Sequence, residues 1–326
     1  MKRILTGLQP SGELTLGNLI GGINQSIKYQ EEYDSFIFVP DLHAITVSQD
    51  PKLLKERIKK NVALYIACGI EPEKNTIYIQ SENLYHTNLS WILECMTYMG
   101  EASRMTQFKD KSSKGENIGV GLFTYPMLMA SDILLYSADY VPTGIDQKQH
   151  VELCRDLALR FNNKYGETFK IPTPMIPEMG AKIMDLQEPI KKMSKSSESP
   201  KGVILLLDDE KTIRKKIMSA VTDSDMAIIY DPINKPGISN LLTIYASLKE
   251  MSIDDVVSHF KDYNYGSLKK EVADVVVDRL TLIQDKYNEL INSIYLDEIL
   301  DKGRDKTLEI ARLKYEEVRI KMGLGR

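Results

Sequence analysis

The chain has 326 residues, 43% apolar and 27% charged, an ordinary globular composition with length for about two domains. Lys and Arg number 42 against 46 Asp and Glu, a formal net charge of -4. That balance excludes a uniformly basic coat for nucleic acid and leaves only local basic patches. No apolar run reaches the ~18 residues that a membrane span needs, so no membrane association is expected. The start, MKRILTGLQPSG, carries no secretory pattern. Cys68, Cys95 and Cys154 lie far apart, without disulfide or zinc-ligand spacing, which points to a reducing cytoplasm and to no protein-held metal.

In chain order, Ile4-Leu5 is a first β-like run, followed by a Gly/Pro/Ser turn and an apolar-periodic stretch from Asn18 to about Tyr29. Phe36 to Val39 is a second compact run, and a helical pattern covers about Leu53 to Ala67. Ile77 to Ile79 is a third run, with helical patterns from Leu89 to Met99 and from about Leu122 to Tyr136, before Tyr140-Val141. The alternation predicts βαβ units, hence an α/β fold with a Rossmann-like parallel sheet. Such sheets bind ligands at the carboxyl ends of their strands.

Composition shifts after Asn162, where Pro172, Pro174, Pro177, Pro189 and Pro200 punctuate a stretch of little periodicity. Beyond it Leu268, Val272, Val276, Leu280, Ile283, Tyr287 and Leu290 recur at one helix face, and a last helix from about Lys306 to Met322 ends at Gly323. The expected organisation is a Rossmann-like nucleotide-binding domain over 1–188, a helical domain over 189–292, and a C-terminal helix of about 293–326 packed back on the first domain.

Neither G-x-x-x-x-G-K-[ST] nor G-x-G-x-x-G follows the first strand. Instead Gly7-Leu8-Gln9-Pro10-Ser11-Gly12 leads to Thr15-Leu16-Gly17-Asn18. Glycines at a strand-to-helix turn let backbone approach a phosphate closely, and the helix start offers amides to an anion. A plain capped helix start is the alternative reading. Lys192-Met193-Ser194-Lys195-Ser196 places two lysines around small hydroxyl residues in a polar loop. It could bring two ammonium groups onto a polyphosphate, or it could be solvated surface.

Together these two elements resemble the class I aminoacyl-tRNA synthetases. Thr15 to Asn18 is similar to the family's HIGH element, with its outer histidines replaced by Thr15 and Asn18, and KMSKS matches the second element letter for letter. Further blocks resemble the bacterial tryptophan--tRNA ligase branch: Gly7 to Gly12, Asp41 to Thr46, Arg104 to Lys109, Thr124 to Pro126, Met129 to Tyr136, Gly144 to His150, and Ala220 to Ser224. The likeness runs almost end to end, in the family's order and spacing.

A physical argument supports an amino-acid pocket. Asp132 sits in a strongly apolar helix, where an unpaired carboxylate is costly. Tyr125, Met129 and Asp132 share one helix face. An ionised carboxylate only accepts hydrogen bonds and an indole N–H only donates. An acid at the end of an apolar slot therefore suits an indole and rejects a phenyl ring by up to ~10⁴–10⁵-fold. Asp132 could equally cap a helix or pair with a lysine, and His43 could be a hydrogen-bonded structural histidine. Tyr125 and Met129 could be simple core.

The resemblance implies roles residue by residue. Gln9, Pro10, Ser11, Gly17 and Asn18 would line the ATP site, completed by Gly144, Ile145, Asp146, Ile183 and Lys192, Met193, Ser194, Lys195 and Ser196. Asp132 would hold the indole nitrogen, and Tyr125 and Gln147 the α-amino group. His43 and Met129 would lie at the pocket, and Leu5, Gly7, Val141 and Thr143 would shape it. Lys192, Lys195, Thr15 and Asn18 would serve the chemistry. The implied activity joins L-tryptophan to tRNA(Trp) at the expense of ATP, in a homodimer, with Mg²⁺ carried mainly by the ATP phosphates. The helical part would read the anticodon. Lys211, Arg214, Lys215 and Lys216 form either a phosphate-binding patch or a solvated face. A tyrosine--tRNA ligase and a non-catalytic tRNA-binding paralogue are the alternatives.

Overall fold

Five short strands, β1 (Arg3–Gly7), β2 (Asp34–Val39), β3 (Asn75–Ile79), β4 (Tyr140–Pro142) and β5 (Thr173–Met175), form one sheet in the order β3-β2-β1-β4-β5. Every neighbouring pair is parallel. The computed structural model describes residues 1–8, 12–106, 108–109, 119–144, 147–175, 181–194 and 199–326. The central strands are near-continuous apolar runs because helices cover both faces: in β2 only Asp34 escapes burial. The strand order turns at β1, with β2 on one side and β4 on the other, and the crevice outside their carboxyl ends is where such sheets take ligands.

β1 to β4 stand where the alternation places them. β5 was not expected, because Pro172 and Pro174 read as loop punctuation. Pro174 is tolerated because β5 is an edge strand, paired only with β4.

The segment after β1 enters a helix at Leu16–Asn18, passes through a π-helical turn at Leu19–Ile23, and continues as Asn24–Glu32. The helix Pro51–Cys68 starts on Asp50, whose carboxylate accepts from Lys52 N and Leu53 N at 2.9 Å, and carries proline in its first turn. Along Tyr265–Leu290 the expected apolar positions are buried except Tyr287, which is half-buried. That helix packs on Pro51–Cys68, Glu210–Met218 and Pro236–Lys249.

The helix Ile294–Met322 returns to the sheet. It lies along β3 and touches the helix Tyr85–Met96. At Gly303 the approach is so close that a Cβ would stand 1.7 Å from Ile77 O, and Lys306 Nζ donates to Thr76 Oγ1 at 2.8 Å. Gly323 ends it in the left-handed region at φ 73°. Among the described residues no helix is long and apolar enough to cross a membrane.

Candidate active site

A cavity of about 390 Å³ opens in the crevice between β1 and β4. Leu5 and Gly7 of β1 form its floor with Phe38 and Pro40 from the end of β2, and Val141, Pro142 and Thr143 close the β4 side. Tyr125, Met129 and Asp132 line it from the helix Val120–Leu135, as their shared face requires, and His43 and Gln147 complete it. The nine residues read from the sequence as an amino-acid pocket thus converge on one space. Gly7 is needed for proximity, since its missing Cβ would lie 3.2 Å from the Phe38 ring.

Asp132 is fully buried, 0% exposed. Its Oδ1 accepts from Gln80 Nε2 at 2.7 Å and His86 Nδ1 at 2.6 Å, and its Oδ2 from His43 Nε2 at 2.9 Å. It neither caps the helix nor pairs with a lysine. Burial alone would push this carboxyl up; the hydrogen bonds from His43 and His86 outweigh burial and hold it below the usual carboxylate range. A carboxylate has about four acceptor sites, and three are filled. His43 is both a hydrogen-bonded histidine and a pocket wall.

Gln80 and His86 carry no family assignment in the sequence reading, and each is placed by its local fold. Gln80 follows β3 in a 3₁₀ turn, Gln80–Glu82. Asp41, after β2, accepts from Ser81 N at 3.0 Å and Ser81 Oγ at 2.5 Å, tying the turn that carries His43 to the end of β3. His86 lies on the buried face of Tyr85–Met96 with Leu89, Ser90 and Leu93. A histidine on such a face demands a buried partner, and that was the available signal.

Tyr125 and Gln147 meet through His150, whose Nε2 is 3.0 Å from Tyr125 Oη and whose Nδ1 is 2.8 Å from Gln147 Oε1. With Tyr125 donating, Nδ1–H of His150 donates to Gln147. Thr143 Oγ1 is buried and has no hydrogen-bond partner among the described residues.

The helix start beside the crevice is a capping box. Thr15 Oγ1 accepts from Asn18 N at 3.2 Å, and Asn18 Oδ1 accepts from Thr15 N at 2.9 Å and from Thr15 Oγ1 at 3.0 Å. With Oδ1 filled, the exposed Asn18 amide has only Nδ2–H donors left to offer. Leu16 N donates to Ile204 O and Leu206 N to Leu14 O, both at 2.9 Å, so the segment following KMSKS is stitched to this helix start.

The KMSKS loop is pinned at its base. Met193 N donates to Ile183 O at 3.0 Å, Asp185 N to Lys191 O at 2.9 Å, and Leu186 N to Gly202 O at 2.9 Å. Met193 is buried, its Cβ 3.5 Å from where a Cβ on Gly17 would stand. Lys192 and Ser194 on either side are exposed. Lys192 makes no ion pair among the described residues. Ile183 acts through its backbone carbonyl, while its side chain is core. Gly144 lines the cavity. Gln9, Pro10, Ser11, Ile145, Asp146, Lys195 and Ser196 lie outside the described residues.

The cationic helix Glu210–Met218 is partly neutralised. Arg214 pairs with Glu210 and Asp274, and Lys216 with Asp208 at 2.7 Å. Lys211 and Lys215 remain exposed.

A parallel sheet with its cavity at the turning point, a capped helix start offering donors, and an anchored KMSKS loop define a nucleotide-dependent enzyme of the class I synthetase type. The family model described as tRNA synthetases class I (W and Y) matches residues 1–281, and the chain belongs to that family. It is 53% identical over 325 residues to the tryptophan--tRNA ligase of Halalkalibacterium halodurans, covering 100% of this chain and 98% of that protein. It is 51% identical over 326 residues to the tryptophan--tRNA ligase of Bacillus anthracis, covering 100% and 99%. The structure of tryptophanyl-tRNA synthetase from Campylobacter jejuni complexed with ADP and tryptophan superposes with a TM-score of 0.86 at 37% identity, covering 99% of this chain and 100% of that one.

Proposed function

We propose that the protein is a tryptophan--tRNA ligase. It activates L-tryptophan with ATP to tryptophanyl-adenylate and pyrophosphate, then transfers the acyl group to the 2′-hydroxyl of the terminal adenosine of tRNA(Trp). The observation that carries this reading is Asp132: a buried carboxylate at an apolar cavity with three donors in place and one acceptor site over. Full-length relatives at about half identity, named as tryptophan enzymes, favour tryptophan over tyrosine.

In the first step the tryptophan carboxylate attacks the α-phosphorus of ATP and pyrophosphate leaves in line. The amino acid is its own nucleophile, so the protein positions the reactants and stabilises charge. Tyr125 and Gln147, held by His150, receive the α-amino group. Leu16 N and Asn18 N are spent on Ile204 O and Thr15, so Asn18 Nδ2 is the donor this helix start turns to the phosphates, with Gln9, Pro10, Ser11, Gly17, Gly144, Ile145 and Asp146 around the nucleotide. Lys192 and Lys195 supply cationic donors as charge grows on the departing pyrophosphate. Amide and ammonium donors suit phosphate oxygens. Mg²⁺ would enter on the ATP phosphates, keeping water as its other ligands and adding positive charge there.

We assign the chemistry to residues 1–188 with the returning C-terminal helix, and anticodon recognition to the helical part, 189–292. With Arg214 and Lys216 engaged, Lys211 and Lys215 are the cations of that helix left for phosphate. A homodimer is supported by exposed large apolar side chains around the helix Tyr85–Met96: Leu84 at its cap, Trp91 on it at 67% exposed, and Tyr98 and Met99 just after it. Free Cys68, Cys95 and Cys154 agree with a reducing cytoplasm.

Exchange between ATP and pyrophosphate, run with each of the twenty amino acids in turn, tests the reading. Tryptophan alone should drive it at micromolar to millimolar concentration. Exchange driven by tyrosine and not tryptophan, or tRNA binding without exchange, would contradict it.

A further inference from the structure

Two backbone amides set the direction of the hydrogen bonds that reach Asp132 from β3 and the following helix. Leu42 N donates to Gln80 Oε1 at 3.2 Å, so the opposite end of that side-chain amide, Nε2, is the one that faces Asp132 Oδ1. Tyr85 N donates to Asn83 Oδ1 at 3.1 Å, so Asn83 Nδ2 is turned to the Tyr136 hydroxyl, also at 3.1 Å. Tyr136 oxygen accepts there, and its proton goes to His86 Nε2 at 2.8 Å. The imidazole of His86 thus keeps its own proton on Nδ1, which donates to Asp132 Oδ1 at 2.6 Å. Gln80, Asn83, His86, Tyr136 and Asp132 are all buried, so bulk water does not compete for these bonds.

We propose that the relay from Asn83 through Tyr136 to His86 is a positioning device for tryptophan specificity. It fixes the His86 ring with Nδ1–H aimed at Asp132 Oδ1 and Nε2 occupied by the Tyr136 hydroxyl. Oδ1 is filled by two N–H donors, and the single acceptor site left, on Oδ2 beside His43, takes one indole N–H. Tyr136 and Asn83 are positioning residues in this account, since neither lines the cavity. Without the hydroxyl of Tyr136, His86 Nε2 would be a buried nitrogen with no partner. The ring would then no longer be held in place, and its Nδ1–H could swing away from Oδ1 of the carboxylate that the indole must find.

This inference rests on the tryptophan reading. The experiment compares kcat/KM for tryptophan with that for its isostere β-(3-benzothienyl)alanine, which has sulfur where the indole has N–H, by ATP–pyrophosphate exchange. The wild-type protein should prefer tryptophan strongly, because the isostere leaves the last acceptor site unpaired. Tyr136→Phe should reduce that preference about tenfold, through a higher KM for tryptophan, with kcat and the KM for ATP unchanged. Asn83→Asp keeps an acceptor for Tyr85 N–H but presents an oxygen to Tyr136, turning its proton away from His86. The same fall in preference is expected, and this variant decides the matter should Tyr136→Phe not fold. A wild-type preference in the folded variants, or KM values for tryptophan and the isostere rising together, would overturn the relay. A wild-type protein without tryptophan-driven exchange would instead overturn the assigned function.

Discussion

Replacing Asp132 with Asn should lower kcat/KM for tryptophan by about 10³-fold while leaving the KM for ATP within about twofold. Three N–H donors converge on the carboxylate, from Gln80, His86 and His43. An asparagine amide would turn its own N–H₂ toward one or two of them, leaving buried donors facing a donor and no anionic acceptor for the indole. The pH dependence follows from the sign of the shift. The folded-state carboxyl is depressed, so the stability it contributes is complete above its ordinary value of about 3.9 and is lost only as pH falls through the lower folded value. Tryptophan use should therefore show no inflection from Asp132 above about pH 4. Steady-state exchange kinetics with thermal melts of both proteins check the prediction, and unchanged tryptophan kinetics in Asp132→Asn would exclude the role.

Lys195→Ala and Lys192→Ala should each slow adenylate formation by about 10²-fold, with tryptophan affinity nearly intact. Lys192 flanks the buried Met193, which anchors the loop against Gly17 at the helix start. The anchor and an exposed ammonium group near the Thr15–Asn18 turn are thus chain neighbours. Lys195 falls outside the described residues, and its role follows from the motif. Their charge matters most when negative charge builds on the leaving pyrophosphate, so kcat should fall while the KM for tryptophan holds. Single-turnover adenylate formation measured beside equilibrium tryptophan binding separates the two effects. Normal single-turnover rates in both variants would remove the lysines from the mechanism.

Much of this was legible in the chain because the informative features are local. β2 and β3 carry compact apolar runs, Phe36 to Val39 and Ile77 to Ile79, and the Val120–Leu135 helix carries one acid in an apolar sequence, so period and composition sufficed. Short motifs with fixed spacing carried the family resemblance. β5 was hidden because its three residues include Pro174, which reads as loop until its edge position is known. The partners of Asp132 were hidden for a different reason. Gln80 and His86 lie 52 and 46 residues away in sequence, and only the turn after β3 and the packing of Tyr85–Met96 on Val120–Leu135 bring them to Asp132. The basic helix misled in part, since sequence shows the charges of Arg214 and Lys216 and not the acids that meet them from Asp274 and Asp208.

The central claim is that one remaining acceptor site on a buried, ionised carboxylate selects the substrate. A crystal structure of the protein with L-tryptophan and a non-hydrolysable ATP analogue tests it most directly. The account predicts the indole nitrogen ~3 Å from Asp132 Oδ2, the α-amino group at Tyr125 and Gln147, and the triphosphate between Asn18 and the KMSKS lysines. An indole seated elsewhere, with the Asp132 carboxylate contacting only Gln80, His86 and His43, would contradict it.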